Sequence, residues 1–497
     1  DAKDIKGKQI DYGDHAILPG FVDAHGHASY LAFASQVANI ASPPVGKINT
    51  IEELQTALKR FIKDSNLQAG EWVMGLGYDD SLLKERRHPT KDDLDAVSTE
   101  HPIYLIHVSA HLGAANSLGL SLAGINSKTP NPPGGKIRRY KNSTEPNGVF
   151  EETAAYPVQQ LAMSAYKDPI GSVKKAMDIY AKHGITTAQD GASSPETIAL
   201  MKAADLQGMI NLDIISYPIG QNGLDENINS INFGKYEGRV KIGGIKLILD
   251  GSPQGKTAYL TEPYYKPPHS ESESYKGYPL IPQSEVSKWV KKYAELNIPI
   301  MAHANGDAAA DMLIKAVNDA EITSDHRTIM IHAQTVREDQ LDQMEELKII
   351  PSYFSTHTFY WGDWHRDSVF GEERAMRISP TKSTLNRKMP FTVHNDAPVV
   401  PPDMIRLLWS TTNRETRSGK VLGEEQKIST YAALEAMTIN AAYQHFEDDI
   451  KGSIQVGKLA DLVVLSEDPL SLAVDDLLKL KVVATYSHGE EIFNTKK

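Results

Sequence analysis

The chain contains no cysteine among its 497 residues. This absence excludes disulfide bonds, thiolate metal sites and a cysteine nucleophile. Any metal ion must therefore be bound by histidine and carboxylate side chains, which suit zinc, manganese, iron or nickel. Because cysteine-free chains occur both in the cytoplasm and among exported, periplasmic proteins, the localisation stays open.

Long apolar runs are also missing. No stretch approaches the roughly 18 uninterrupted apolar residues that a membrane span needs. Acidic residues outnumber basic ones by 64 to 52, for a formal net charge of −12, which argues against nucleic acid or an anionic membrane as the main partner. The 40% hydrophobic and 23% charged residues are typical of a globular protein. The length suits one large domain with a small one, or two or three ordinary domains.

Short apolar segments rich in β-branched residues recur along the chain, and helical patterns such as 285–296 and 309–320 separate many of them. Eight strands that alternate with helices predict an α/β fold, a parallel (β/α)8 barrel of the TIM type. Their nearly continuous apolar character is typical of strands buried on both faces. The predicted strands are 21–27, 184–190, 212–217, 244–250, 299–304, 328–333, 349–354 and 390–396.

The interval between the first two predicted strands is far longer than an ordinary connection in such a fold. It contains segments rich in glycine and proline at 131–135 and 145–148, and an apolar strand of its own at 103–108. We therefore expect the barrel to span 19–451 and to carry a lid subdomain, inserted at about 50–160, over its mouth. From residue 452 onward the pattern changes to that of a small β unit with a hairpin near its end.

A His25-Gly-His27 motif closes the first predicted strand. Alternate side chains of a strand point to the same face, so Asp23, His25 and His27 are predicted to project together. Two neighbouring imidazoles suit a divalent metal ion. Taken alone, however, the motif is as readily a pair of surface histidines, and it needs ligands from elsewhere in the chain.

Other predicted strands supply such ligands at their C-terminal ends, where barrels of this kind carry their active residues. Lys246 lies in the fourth strand, His303 and His332 lie at the ends of the fifth and sixth, and Asp396 ends the eighth. Each residue has an ordinary alternative, as a hydrogen-bonded core histidine, a salt-bridged lysine or a helix-capping aspartate. The combination at the ends of five strands favours one shared site.

These motifs together resemble the amidohydrolase superfamily of metal-dependent hydrolases, in particular the branch called amidohydrolase family 3, typified by N-substituted formamide deformylase. The resemblance covers nearly the whole chain and is specific for the branch but not for a substrate. It rests on segments at 18–27, 88–90, 94–97, 131–135, 250–255, 303–307, 332–334 and 395–398. Family members have a longer N-terminal β segment. The resemblance thus implies a small β-sandwich, from 1–18 and 452–497, whose N-terminal part is incomplete.

The resemblance also implies roles for matching residues. The implied metal ligands are His25, His27, Lys246, His303, His332 and Asp396. One metal ion would be bound by the first two histidines with Asp396. The other two histidines would bind a second ion or complete a single site. Lys246 matches the lysine that becomes carboxylated in binuclear members. The implied cofactor is one or two divalent ions, zinc before others, and carboxylation of Lys246 is left open.

These roles imply a metal-dependent hydrolase of carbon–nitrogen bonds other than peptide bonds. A metal-activated hydroxide would attack the carbonyl of an N-acyl or N-formyl amide, with Asp396 as general acid and base. A ring deaminase or cyclic-amide hydrolase of the same superfamily is the alternative. A catalytically inactive barrel that acts as a binding protein is disfavoured, because all six ligand positions are present.

Residues that contact the substrate are less clearly indicated. Asp79 and His111, in the inserted segment, either face the substrate or hydrogen-bond within loops, and Gln254 and Asn305 are further candidates. An aromatic run at 359–365 is a candidate wall of the pocket or ordinary surface packing. We expect a small amide-type substrate, no nucleic acid and no membrane span. A homodimer stays open.

Overall fold

The computed structural model describes residues 9–163, 167–221, 228, 231–268 and 271–496, and these residues form a mixed α/β fold. In chain order, strands β1 to β20 are Ala16–Pro19, Phe21–Val22, Ala38–Asn39, Val73–Tyr78, Ile103–His107, Leu112–Ala115, Gly135–Arg139, Pro146–Glu152, Ile185–Ser193, Asp213–Pro218, Tyr236–Glu237, Val240–Ile242, Ile245–Ile248, Ile300–Ala304, Ile329–His332, Ile350–Tyr353, Thr392–Val393, Leu462–Leu465, Val482–Ser487 and Glu490–Asn494. Helices α1 to α16 are Ala28–Ala34, Ile51–Asp64, Lys91–Asp95, Ser117–Leu122, Tyr156–Met163, Pro169–Lys182, Pro195–Leu206, Gln283–Glu295, Asp307–Asp319, Glu338–Glu346, His357–Trp364, Glu372–Ala375, Thr381–Asn386, Met404–Asn413, Thr430–Met437 and Ile439–Gln444.

Each of the eight predicted strands of the main body has a counterpart, and these strands lie in two five-stranded sheets. The first has the order β11-β12-β10-β9-β2 and the second β13-β14-β15-β16-β17. Apart from the short antiparallel β11, neighbouring strands run parallel. The prediction of a barrel is met only in part, because strand pairing forms two sheets and not one closed sheet.

A pair of glycines accounts for the break between the two sheets. Strand β12 ends at Ile242, and β13 begins at Ile245, after Gly243 and Gly244. A Cβ atom on Gly244 would lie 2.3 Å from the carbonyl oxygen of Pro299, so the chain passes very close to the segment before β14. The chain changes partner here, from β10 to β14, and an isolated parallel bridge between Ile219 and Lys246 still links the two sheets.

The helices of the main body bury an apolar face against the strands, as their sequence periodicity predicts. Helix α8, predicted at 285–296 and observed at Gln283–Glu295, buries Val286, Val290 and Tyr293. Helix α9, predicted at 309–320, is Asp307–Asp319. The buried side chains of α8 belong to the largest apolar core of the described residues, which also contains apolar residues of the strands.

The segment between β2 and β9 contains a third sheet, with the order β3-β4-β5-β6-β8-β7. We call residues 38–163 the inserted unit. Its strands β5, β6, β8 and β7 pair antiparallel, in contrast to those of the main body. It has an apolar core of its own, in which Leu54 and Leu58 of α2 pack against Leu105 and other residues of the sheet. The inserted unit therefore folds around its own sheet while its two ends remain joined to the main body.

The end of the chain forms a fourth sheet, with the order β1-β18-β19-β20. Strand β1 pairs antiparallel with β18, and β19 and β20 form the predicted hairpin. The pattern at 452–465 predicts two strands, but the structure has only β18 there, since residues 452–461 form turns and loops. Residues 1–8, part of the predicted β-sandwich, lie outside the described residues. Within the described chain, every helix is too short or too polar to cross a bilayer.

Candidate metal centre

Six side chains meet where the strands of the main body end. His25 and His27 follow β2, Lys246 lies in β13, and His303 lies in β14. His332 ends β15 and Asp396 follows β17. The imidazole centroids of His25 and His27 are 4.9 Å apart, and those of His303 and His332 are 4.6 Å apart. We call this set the central site (His25, His27, Lys246, His303, His332 and Asp396).

The His-Gly-His motif reaches the central site from a loop and not from a strand. Strand β2 ends at Val22, five residues before the predicted end, because the chain then pairs with other partners. The backbone N–H of Asp396 donates to the carbonyl of His25 at 3.1 Å, and that of His27 donates to the carbonyl of Ala397 at 2.8 Å. A Cβ atom on Gly26 would lie 2.3 Å from Asp23 Oδ2, so the close packing of Asp23 requires glycine between the two histidines.

The hydrogen bonds of His25 determine which ring nitrogen faces the centre. Gln189 donates its amide N–H to the carbonyl of Ala24, so its Oε1 is an acceptor, and this oxygen lies 2.5 Å from His25 Nδ1. Nδ1 therefore carries the proton, and the lone pair of Nε2 is free. Nε2 lies 3.3 Å from Lys246 Nζ and 3.5 Å from Asp396 Oδ1.

The same reasoning applies to His27, whose Nδ1 lies 2.5 Å from the carbonyl oxygen of Gly191. A carbonyl only accepts, so Nδ1 is again the donor, and Nε2 directs its lone pair at Asp396 Oδ1, 3.0 Å away. That carboxylate oxygen has no hydrogen-bond donor among the described residues. Two imidazole lone pairs and a carboxylate oxygen thus converge within 4.8 Å of one another, an arrangement that fits a bound cation.

The other two histidines are held by similar contacts. His303 Nδ1 lies 3.1 Å from Asp250 Oδ1, and three backbone N–H groups also donate to this carboxylate. His332 Nδ1 lies 3.1 Å from His394 Nε2, and His394 Nδ1 lies 2.9 Å from Ser352 Oγ. His332 Nε2 in turn lies 3.9 Å from Asp396 Oδ2. In metal sites, hydrogen bonds of this kind orient the ligating histidines and determine their tautomers.

Burial determines the charge of the central site. It lowers the pKa of His25, His303 and His332 well below its ordinary value, so these rings are neutral. Burial also lowers the pKa of Lys246 to about 7. For Asp396, burial acts to raise the pKa, but the neighbouring histidines and Lys246 hold it below its usual value. Neutral imidazoles beside an ionised carboxylate are the donor set that transition metals bind.

Asp23 does not project with the two histidines, contrary to the strand-based prediction. Its carboxylate packs beneath Gly26, and burial followed by the nearby Asp396 charge raises its pKa to about 7. Asp23 Oδ2 has no hydrogen-bond partner within the described part of the chain. Its position under the motif is that of a supporting residue and not of a ligand.

The predicted substrate contacts differ in how close they come to the centre. His111 reaches it, since its ring lies 5.0 Å from that of His303 and its Nδ1 lies 2.7 Å from Glu152 Oε2. Burial opposes ionisation of His111, but the Glu152 carboxylate raises its pKa above the ordinary value. Asn305 donates to the carbonyl of Gly251, and Asn305 Oδ1 and Gln254 Oε1 are buried without a partner in the described residues.

Asp79 has a different position, at a joint between the inserted unit and the main body. Its Oδ2 accepts from the indole N–H of Trp361 at 2.6 Å, and its Oδ1 accepts from the backbone and hydroxyl of Ser81. Trp361 also belongs to an apolar cluster with Phe354, against which Val108 of the inserted unit packs. The aromatic run is therefore buried where the two units meet, and it is not exposed surface.

Several residues near the centre are not indicated by the sequence patterns. Gln189 lies within hydrogen-bond distance of His25 and His394 within that of His332, and His357 lies at the start of α11, just before the predicted aromatic run. The His357 ring is 1% exposed, and neither of its nitrogens has a partner among the residues that the structure describes. Its centroid is 6.4 Å from that of His332. Applying the strand-end rule one turn further along the chain would have found His357.

Comparison with known proteins gives a consistent result over the whole chain. The model of the amidohydrolase family matches residues 8–493. N-substituted formamide deformylase of Arthrobacter pascens is 27% identical in an alignment that covers 97% of this chain and 89% of that protein. The protein LONG AFTER FAR-RED 3 of Arabidopsis thaliana is 25% identical, covering 98% of this chain and 83% of that protein.

Among solved structures, an uncharacterized metal-dependent hydrolase from Pyrococcus horikoshii has the same fold. The two structures superpose with a TM-score of 0.71 at 23% sequence identity, covering 93% of this chain and 88% of the other. A second such hydrolase, from Pyrococcus furiosus, gives a TM-score of 0.67 at 24% identity, covering 92% of this chain and 88% of the other.

Proposed function

The chain belongs to the amidohydrolase family, and from this membership we propose that it hydrolyses a non-peptide carbon–nitrogen bond in an N-acyl or N-formyl amide with the help of a divalent metal ion. Its class, a hydrolase of carbon–nitrogen bonds, follows from the family. The observation that carries the finer proposal is the convergence of two imidazole lone pairs on Asp396 Oδ1. The formamide deformylase relative supports an N-substituted formamide as the first substrate to test.

The residues that would hold the metal are those of the central site. His25, His27 and Asp396 would hold one ion, with His303 and His332 on the neighbouring strands completing this set or holding a second ion. Zinc suits this combination of nitrogen and oxygen donors. When bound, the ion supplies a Lewis acid that lowers the pKa of water and polarises a carbonyl oxygen.

Lys246 is the residue that would link two ions if it were carboxylated. It is 1% exposed and its Nζ lies 3.3 Å from His25 Nε2, so its amine is at the centre of the ligand set. Addition of carbon dioxide to the neutral amine would form a carbamate and release one proton. We propose this modification as the basis of a two-ion centre. A carbamate carbon signal in the ¹³C NMR spectrum of protein kept in ¹³C-labelled bicarbonate would support it.

Asp396 is the proposed general base and acid. Its Oδ1 faces His25 and His27, whereas its Oδ2 lies 3.9 Å from His332 Nε2 and is the oxygen available for proton transfer. The ionised carboxylate takes a proton from the attacking water as the water oxygen bonds to the carbonyl carbon. It then delivers that proton to the amine nitrogen as the carbon–nitrogen bond breaks, and the products are a carboxylic acid and a free amine.

Contacts to the rest of the substrate are proposed for the unpaired polar atoms near the centre. Gln254 Oε1 and Asn305 Oδ1 are buried acceptors that a substrate N–H can satisfy. His111, held by Glu152, would donate to an oxygen of the substrate. Asp79 is better suited to positioning, because both of its oxygens already accept hydrogen bonds.

The test of this function is a substrate panel assayed with zinc-loaded protein. N-alkylformamides and N-acetyl amines are assayed for release of free amine, while cyclic amides and aminated ring heterocycles form the comparison arm. We expect turnover in the first group. Turnover confined to the comparison arm would favour the ring deaminase or cyclic-amide alternative. Absence of turnover in both arms by fully loaded protein would contradict a hydrolytic function.

The role of Asp396 is tested by Asp396→Asn. We expect a loss of turnover of about 10²–10⁴-fold, the range for a missing acid–base group, while the four histidines still hold metal. Metal content measured on the same sample separates loss of catalysis from loss of metal. Asp339→Asn, which changes an exposed carboxylate on α10, is the matched control and should turn over at the wild-type rate.

A further inference from the structure

A chain of three buried side chains lies beside the central site. His332 ends β15, Ser352 lies in β16, and His394 directly follows β17. His332 Nδ1 lies 3.1 Å from His394 Nε2, and His394 Nδ1 lies 2.9 Å from Ser352 Oγ. Ser352 is fully buried, and the two histidines are at most 3% exposed, so these contacts are shielded from water. We call this set the imidazole chain (Ser352, His394 and His332).

The register of three neighbouring strands brings these side chains together. Strand β16 lies between β15 and β17, and its Ser352 pairs with Ile331 of β15 and with Thr392 of β17. His332 comes directly after Ile331, and His394 comes two positions after Thr392. The backbone N–H of His394 also donates to a carbonyl of β16 at 3.0 Å, which ties the residue after β17 to the sheet. The imidazole chain is therefore fixed by strand pairing.

The hydrogen bonds of the imidazole chain can run in either of two directions. Burial lowers the pKa of both rings, and a neutral imidazole has one donor and one acceptor nitrogen. In the first direction, the Ser352 hydroxyl donates to His394 Nδ1, and His394 Nε2–H donates to His332 Nδ1. In the second direction, His332 Nδ1–H donates to His394 Nε2, and His394 Nδ1–H donates to Ser352 Oγ. The direction of one contact therefore determines that of the other.

The two directions differ in what His332 presents to the central site. In the second direction, His332 Nε2 has a free lone pair, which a metal ion requires. In the first, Nε2 carries the hydrogen and faces the Asp396 carboxylate, whose Oδ2 is 3.9 Å away. The first direction also uses the hydroxyl of Ser352, which has no other hydrogen-bond partner in the part of the chain that the structure describes. The first direction thus suits the metal-free protein, and the second suits the metal-bound protein.

The other three histidines of the central site have partners of a different kind. The Nδ1 partner of His25 is an amide oxygen, that of His27 is a backbone carbonyl and that of His303 is a carboxylate. An amide or carbonyl oxygen only accepts, and an ionised carboxylate does the same. The partner of His332 is an imidazole, and either of its nitrogens can donate or accept. The tautomer of His332 is therefore the one that a change in its partner can reverse.

We propose that His394 is a positioning residue that couples the tautomer of His332 to metal binding, with Ser352 as the end of the imidazole chain. This inference rests on the proposed metal-dependent function, because it concerns how the central site accepts its ion. Without metal, both rings carry their proton on Nε2, and with a divalent ion bound, both carry it on Nδ1. The two arrangements contain the same number of protons, so the change takes up and releases none overall.

The first test observes the tautomers in the wild-type, full-length protein. NMR spectra of protein labelled with ¹⁵N-histidine distinguish ring nitrogens that carry a hydrogen from those that do not. The signals of His332 and His394 are identified by their loss in His332→Gln and His394→Gln. We expect His394 to carry its proton on Nε2 in chelator-stripped protein and on Nδ1 once zinc is added. Because His394 is not a proposed ligand, the same His394 tautomer in both samples would overturn the proposal.

The second test measures zinc affinity by competition with a chromophoric chelator. His394→Phe keeps an aromatic ring but removes both contacts, and it should weaken zinc binding by about 10–100-fold. His394→Gln, whose amide oxygen can accept from His332 Nδ1–H, should restore most of that affinity. His326→Phe is the matched control, because His326 also contacts a hydroxyl, that of Thr328, but precedes β15 and should leave the affinity unchanged.

The outcomes separate this inference from the proposed function. Equal zinc affinity in wild type and His394→Phe would overturn the role of His394 and leave the metal centre intact. A His394→Gln protein that binds zinc no more tightly than His394→Phe would also overturn it, because the ring and not its hydrogen bond would then matter. Wild-type protein that binds no zinc would contradict both this inference and the proposed function.

Discussion

Single residues outside the proposed ligand set hold the histidines of the central site in place. Gln189 is fully buried, accepts from His25 Nδ1 and donates to the carbonyl of Ala24. Removing its oxygen would leave the His25 ring free to rotate or to change tautomer. Contacts of this type commonly contribute a factor of about 10–100 to metal affinity.

We therefore expect Gln189→Met to weaken zinc binding at the central site by about 10–100-fold. The affinity is measured by competition with a chromophoric chelator. Gln207→Met, at an exposed glutamine after α7, is the control. Unchanged affinity in Gln189→Met would show that the hydrogen bond to His25 does not orient a ligand.

At the level of single residues, the sequence indicates the proposed metal ligands far better than the residues that hydrogen-bond to them. His303 and His332 were predicted because they interrupt apolar strands at the ends where active residues lie. Gln189 contacts a histidine 164 positions away, and no local pattern relates the two. His394 directly follows β17, but its hydrogen bond to His332 depends on the packing of β15 and β17. Residues that hydrogen-bond to the proposed ligands become evident only when the packing of the strands is known.

Among the elements, the contacts between the segment after α16 and strand β10 are ionic and buried. Lys451, just beyond α16, lies 2.6 Å from Asp213 of β10 and 3.0 Å from Glu447. All three side chains are at most 2% exposed. Removing one partner from such a group leaves the others as uncompensated buried charges.

We expect Lys451→Met to lower the free energy of unfolding by about 3–5 kcal/mol at neutral pH. Urea unfolding followed by tryptophan fluorescence measures the change. Lys479→Met provides the control, because Lys479 forms its ion pair with Asp476 in solvent and should contribute little. A loss for Lys451→Met no larger than that of the control would mean that the cluster does not stabilise the fold.

The same cluster predicts a dependence on pH. Burial acts to raise the pKa of Asp213, but hydrogen bonds from His488 and Lys451 hold it well below its usual range. Because the unfolded value is about 3.9, the stabilisation by Asp213 is complete above that pH and is lost as the pH falls towards the folded-state pKa. Asp461, whose pKa burial raises, acts in the opposite direction.

We expect the difference in unfolding free energy between wild type and Asp213→Asn to shrink steadily below about pH 4. Urea titrations of both proteins between neutral pH and pH 3 provide the measurement. A difference that stays constant with pH would show that Asp213 is not held in its ionised form.

Strands are predicted correctly from the sequence where burial on both faces produces a continuous apolar run. The strands of the main body are covered on both faces, so their apolar runs stand out. Strand β6, Leu112–Ala115, is short and contains glycine and alanine, and nothing in its composition distinguishes it from a loop. It is a strand because Tyr104 and Leu105 of β5 pair with it and β8 covers its other edge. The strand predicted at 21–27 is shorter in the structure, where only Phe21–Val22 is a strand. The last residues of the predicted strand instead hydrogen-bond to the loop after β17.

For the whole molecule, the inserted unit and the main body share a buried joint near the central site. Asp79 accepts from Trp361, Val108 packs on the cluster around Phe354, and His111 lies against His303. The surroundings of the central site therefore come from two separately cored parts of the chain. Substrate preference in this family member should follow changes on either side of that joint, because both sides shape the same space.

The pairing of β1 with β18 also has a consequence for how the chain is made. Ala16 lies opposite Leu465, so β1 leaves the ribosome long before the strand with which it pairs. Until that partner emerges, β1 exposes an unpaired edge and Asp213 lacks Lys451. Synthesis at about 5–20 residues per second makes this interval tens of seconds long. The nascent protein therefore carries β1 without its partner throughout that interval, a period in which chaperones can protect the exposed strand edge.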